Sequence, residues 1–146
     1  MSHIILRSAD MRRPTPVLEH SRVALRIFTA LAEMCAERAR VAEWRDLADS
    51  CNVVEALVEL GKYEAAKVTP LLDAAKDGLQ VAIKCADGQM RMRHDQLAAL
   101  RQVVTLHDEA IGKFSLGTMF EAERRVVATV RRVMAGDETG VTVVQG

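Results

Sequence analysis

From Val68 to Ala86 the residues Val68, Leu71, Leu72, Ala75, Leu79, Ala82 and Ala86 return every three or four positions, opposite Asp73, Asp77, Gln80, Lys84 and Asp87. A half-buried strand needs alternation at every second residue, so this spacing permits a helix with one apolar stripe and little else. One such helix cannot shield its stripe from water alone. The rest of the chain has to supply partners, and it repeats the same period in four further segments.

The first of these begins near Pro16, with Thr15 in capping position. Its polar residues Glu19, Arg22, Arg26, Thr29, Glu33, Glu37 and Arg40 fall on one narrow stripe. The wide apolar arc left over, with Val23, Leu25, Ile27, Phe28, Leu31 and Met34, predicts either a central helix or a face reserved for a second subunit. No glycine or proline marks its end, and a turn is placed at Arg38 to Val41. A second helix carries Trp44, Leu47, Ala48, Cys51, Val54 and Val58 inward. Asn52-Val53-Val54-Glu55 has the spacing of a capping box, which predicts a break there, and Gly61 supplies a left-handed stop. The third helix, Tyr63 to Ala86, is expected to kink or restart at Thr69-Pro70, because proline lacks an N–H and crowds the preceding turn. A fourth runs from Asp95 to Ile111 with Leu97, Leu100, Val103, Val104 and His107 inward, and Gly112 stops it. The fifth starts at Ser115 or Thr118 and presents Met119, Phe120, Val126, Val127, Val130 and Val133.

These readings predict an all-α protein, a bundle of about five helices in antiparallel hairpins. Residues 1–15 are expected to form a flexible arm, 16–135 a single domain and 136–146 a tail. The β-prone run after Gly140 is read either as disordered or as a strand pairing with "HIIL" or with another subunit. A chain of 146 residues suffices for a core without metal or disulfide staples, since a domain of this size buries about 70% of its unfolded surface.

Lys and Arg together number 20, as do Asp and Glu, so no global field draws the chain to nucleic acid or an anionic membrane. Three widely spaced cysteines, Cys35, Cys51 and Cys85, with no CxxC, suit reduced thiols and read as small core residues. No signal peptide or membrane span is visible, and the expected location is the cytoplasm.

Two polar residues project from the centres of apolar stripes, His107 and Glu123. If the fourth and fifth helices pack antiparallel across their short connection, positions summing to about 230 face each other. That pairs Leu100 with Val130, Val104 with Val126, Ile111 with Met119, and His107 with Glu123, as a register-setting hydrogen bond or a pH-sensitive switch. The histidines are scattered and no HExxH exists, so neither metal nor cofactor is expected. Nor does any glycine loop suit a phosphate. Arginines cluster locally, Arg91 and Arg93 in a loop and Arg124, Arg125, Arg131 and Arg132 on the last helix. This is the surface by which DNA or a protein partner would be met. An enzyme using His107, Glu123 and a cysteine is a third reading.

The order of "EWRDLADSCNVVEALVELG", a long alanine-rich helix, a glycine-containing loop, "DQLAALRQVVTLHDEAI" and an arginine-rich last helix resembles a family of small helical proteins of phages and prophages of Gram-negative bacteria. The resemblance spans roughly Ser21 to Arg132 and includes Trp44, Asn52, Gly61, His107 and Asp108. It implies a non-enzymatic accessory protein of a mobile element that inhibits or modulates a host protein, host defence included, while the wide apolar arc of the first helix predicts a homo-oligomer formed through it. The alternative is a small DNA-associated transcriptional regulator using its arginine clusters.

Overall fold

The computed structural model of the chain describes residues 17–136, so the expected arm and the tail beyond Gly136 lie outside the described residues. Five helices account for the fold: α1 (Val17–Cys35), α2 (Val41–Glu59), α3 (Ala65–Ile83), α4 (His94–Lys113) and α5 (Leu116–Met134). The protein is an all-α bundle, as the apolar period requires. Among the described residues no helix is long and apolar enough to cross a membrane.

The stripes become the core. Leu79, Leu100, Val103 and Val104 are buried, as are Met34, Leu47, Cys51 and Val54. They join α1, α2, α3 and α4 into one cluster. Met90, from the α3–α4 connection, is fully buried and plugs this cluster. Trp44 packs there too, and its indole Nε1 donates to the Leu79 carbonyl at 2.7 Å, leaving no unpaired donor in an apolar setting. Gly78 lets α3 approach α4 closely: a Cβ at that position would come within 2.5 Å of Met92 Cε and 2.9 Å of Gln96 Cβ.

Helix ends follow from local chemistry. At Gly61, φ is +74°. Its N–H reaches Val58 O and that of Lys62 reaches Leu57 O, both at 2.9 Å, a Schellman stop as the glycine predicts. The end of α1 uses the same device without a glycine. Glu37 takes φ +58°, and Arg38 N–H bonds Glu33 O at 2.8 Å. In α5, Ser115 is the N-cap and accepts from Thr118 N–H at 3.2 Å.

Several expectations are corrected. No break occurs at Asn52, because α2 is buried along its length and tertiary contacts outweigh a local cap. Nor does α3 restart at Pro70, which lies in its second turn with the helix continuing through it. Cys35 and Cys85 are exposed, and of the three cysteines Cys51 alone is a core residue. The central helix is α2, which packs against all four others. Helix α1 touches only α2 and α4, leaving Leu25 72% and Phe28 38% exposed on its outer flank.

The largest departure concerns α5. The register that paired it with α4 holds only near the connection, where Ile111 and Met119 share a small cluster with Val53, Ala56, Leu57, Ala110 and Ala122. Beyond that, α5 leans onto α2, and Leu100 and Val104 are buried in the other cluster. The short connection limits where α5 begins without dictating its neighbour. With the inner face of α4 occupied by α1, α2 and α3, the stripe of Met119, Ala122 and Val126 finds its partner on α2.

Candidate functional site

Because α5 diverges from α4, it makes no contact with α1. A cleft of about 400 Å³ opens between them. Val23, Arg26 and Ile27 of α1 form one wall, and Leu116, Phe120, Glu123 and Val127 of α5 the other. Asp46, Asp49, Ser50 and Val53 of α2, with His107 and Ile111 of α4, lie along the floor and rim. Phe120 and Val127 remain 39% and 49% exposed. They stand seven residues apart, two helical turns, on the flank that faces the opening.

The polar groups here are few and distinct. Ser50 Oγ and His107 Nδ1 hydrogen-bond at 2.8 Å, buried at the cleft floor. Ser50 falls between Leu47 and Val54 in the inward stripe of α2, so a hydroxyl there needs a partner, as does the imidazole. Each satisfies the other. Burial drives the His107 pKa down to about 4, with Arg26 and His20 adding to the effect and Asp108 opposing it. The ring is therefore neutral at pH 7. Its Nε2 has no protein partner among the described residues, and no buried side-chain polar atom there is left unsatisfied. This nitrogen is thus reached by water from the cleft.

The rim is acidic. Asp46 pairs with Arg26 at 3.5 Å, whereas Asp49 and Glu123 make no ion pair among the described residues. The Glu123 carboxyl is pushed above the usual carboxylate range, first by its apolar surroundings and then by the charge of Asp49. Asp49 moves the same way, through burial and the neighbouring Asp46, against the pull of Arg26 and Arg45. One further pair, His20 Nε2 to Asp108 Oδ1 at 2.7 Å, ties the first turns of α1 to the last turns of α4.

The sequence singled out His107 and Glu123, and both line this cleft. Their roles differ from expectation: the hydrogen-bond partner of His107 is Ser50, and Glu123 is coupled to Asp49. Ser50 and Asp49 escaped sequence reasoning. For Ser50 a signal existed, since positions 47, 50, 51 and 54 form one stripe with a single hydroxyl in it.

The arginines do not form one surface. Arg91 pairs with Glu37 at 3.3 Å and Arg93 with Asp95 at 3.1 Å, beside the N-terminus of α4. Helix α5 departs from the other end of α4, 20 residues on, which is about 30 Å away along the helix. There Arg124 pairs with Glu121 at 2.6 Å, and Arg125 lies 3.8 Å from Glu59. Arg132 donates to Thr129 at 3.2 Å, and Arg131 is exposed.

A wider depression of about 610 Å³ lies over α3 and α4, among Lys62, Tyr63, Lys67, Leu71, Arg101 and Leu106. Two of its polar groups are engaged within the fold: the Tyr63 hydroxyl donates to Leu106 O at 2.9 Å and Lys67 pairs with Glu64 at 3.2 Å.

Ser50 is fully buried, and so is Cys51, whose thiol burial pushes up to about 12. What fold and cleft define is a helical bundle with an open, apolar, acid-rimmed groove. In comparisons with protein-family models, curated proteins and solved structures, no match is found.

Proposed function

We propose that this chain acts by protein contact. It is a non-enzymatic accessory protein of a phage or other mobile element that binds and modulates a host protein in the bacterial cytoplasm. The observation that carries the reading is the uncovered apolar flank of α5. A helix packed on one side only, with Phe120 and Val127 facing an open cleft, is the arrangement by which helical grooves receive a partner. Self-association through α1 belongs to the same reading, since Leu25 and Phe28 share an exposed flank with Ala32 and Cys35.

The alternative, a DNA-associated regulator, draws on Arg131 and Arg132, which have no carboxylate partner among the described residues. Its support is weaker, because Arg91, Arg93, Arg124 and Arg125 are engaged by acids and an arginine so engaged offers less to phosphate.

The test is affinity capture from nuclease-treated host lysate with the wild-type chain and with Phe120→Glu/Val127→Glu. The expected result is a defined host protein retained by the wild type and lost with the variant. Retention that disappears on nuclease treatment and follows Arg131 and Arg132 overturns the reading in favour of DNA.

A further inference from the structure

The cleft also specifies the chemistry of what enters it, an inference that rests on the protein-contact reading above. Its α5 wall runs from Leu116 to Val127, twelve residues spanning about 16 Å. That length is three turns of a facing helix and more than a small molecule would cover. In this apolar setting stand two carboxylates from different helices, Asp49 of α2 and Glu123 of α5, both lining the cleft, where the charge of Asp49 adds to the upward push on the Glu123 carboxyl. Neither forms an ion pair among the described residues; Arg26, the basic residue in the wall, pairs with Asp46 at 3.5 Å and, like Arg45, acts on Asp49 only from a distance. Beneath them His107 is nine-tenths buried, neutral, and presents an unpartnered Nε2 to the cleft.

Two acids held in partly apolar surroundings without a direct ion pair are costly in the free protein. A positive group entering between them removes the mutual repulsion and replaces lost hydration, while an anionic one compounds both penalties. We propose that the cleft between α1 and α5 receives one face of an amphipathic helix of a partner protein. That face presents an arginine or lysine amid large apolar side chains, the cation lying between Asp49 and Glu123 and the apolar anchors against Val23, Phe120 and Val127. A second copy of this chain is a poorer occupant. A two-fold contact brings a surface against its own image, and two such clefts would set Asp49 and Glu123 against their counterparts.

The experiment is a selection on the full chain with a displayed library of 18-residue helical peptides. The peptides hold Leu, Ile or Phe at i, i+3, i+4 and i+7, and the positions between are randomised. Enrichment of Lys or Arg at one position flanked by the apolar anchors is expected. Binding of the selected peptides should fall about tenfold or more on Asp49→Asn/Glu123→Gln and vanish on Phe120→Glu/Val127→Glu. Circular dichroism melts should show both variants folded.

Peptides without a cation that bind Asp49→Asn/Glu123→Gln as well as wild type overturn the charge inference and leave the protein-contact reading standing. If no selected peptide depends on Phe120 and Val127, both fail together. Binding that emerges only after removal of residues 1–15, or only on dilution of a dimer, assigns the cleft to the chain's own segment or to a second copy, and the proposal falls.

Discussion

Acid should weaken this bundle through one imidazole. His107 is neutral and buried in the native state, with a pKa driven down to about 4 from an ordinary 6.5. The unfolded chain takes up a proton at His107 as pH falls through 6.5, whereas the folded chain resists until about pH 4. Stability carried by the neutral ring is therefore intact above pH 6.5 and is lost progressively between the two values. Lowering the pH from 7.0 to about 4.5 should remove about 2 kcal/mol through this residue, from the linkage relation with those two pKa values. Asp49 and Glu123 work in the opposite sense, because carboxyls with raised pKa values gain protons more readily in the folded state.

The comparison that isolates His107 is therefore urea unfolding of wild type and His107→Gln at both pH values. Glutamine keeps a partner for Ser50 and lacks the titration, and every other ionisable group is common to both proteins. The acid-induced loss should be about 2 kcal/mol larger in wild type. Equal losses would refute the claim that burial holds the ring neutral.

Other outcomes follow from the packing. Thiol titration of the native protein with an aromatic disulfide should modify Cys35 and Cys85 rapidly and Cys51 only on unfolding, since Cys51 is buried with a thiol pushed up to about 12. Gly78→Ala should lower stability by about 1–3 kcal/mol in denaturant unfolding, because the new methyl meets Met92 and Gln96 where α3 and α4 approach. Glu37→Gly should raise stability by about 1 kcal/mol in the same assay through relief of the left-handed conformation at φ +58°. The lost pairing of Glu37 with Arg91 at 3.3 Å is exposed and subtracts little.

How much of this was legible before the structure depended on whether a signal was local. The stripe from Val68 to Ala82 and that from Leu100 to Ile111 determined α3 and α4, because the period itself says which side is buried. The stop at Gly61 was equally plain. By contrast, the end of α1 was hidden. Its left-handed residue is Glu37, and nothing in a glutamate announces that conformation. Asn52 misled in the opposite direction: its spacing to Glu55 suits a cap, yet burial of Cys51, Val53 and Val54 on either side keeps the helix whole. The cleft depends on where α5 goes after Ser115, and a short connection leaves that choice to packing elsewhere. Hence His107 and Glu123, which an antiparallel register sets opposite each other, meet other neighbours instead, Ser50 and Asp49.

Partner binding in the cleft requires the α5 flank to be open to solvent in the free protein. Its most direct test is methyl NMR of the full chain with a soluble gadolinium chelate as broadening agent, read at Val127 and, as a buried reference, at Val103. Strong broadening of the Val127 methyls with Val103 unaffected is the predicted result. Val127 methyls protected as fully as those of Val103 would contradict it, because the flank would then already be covered.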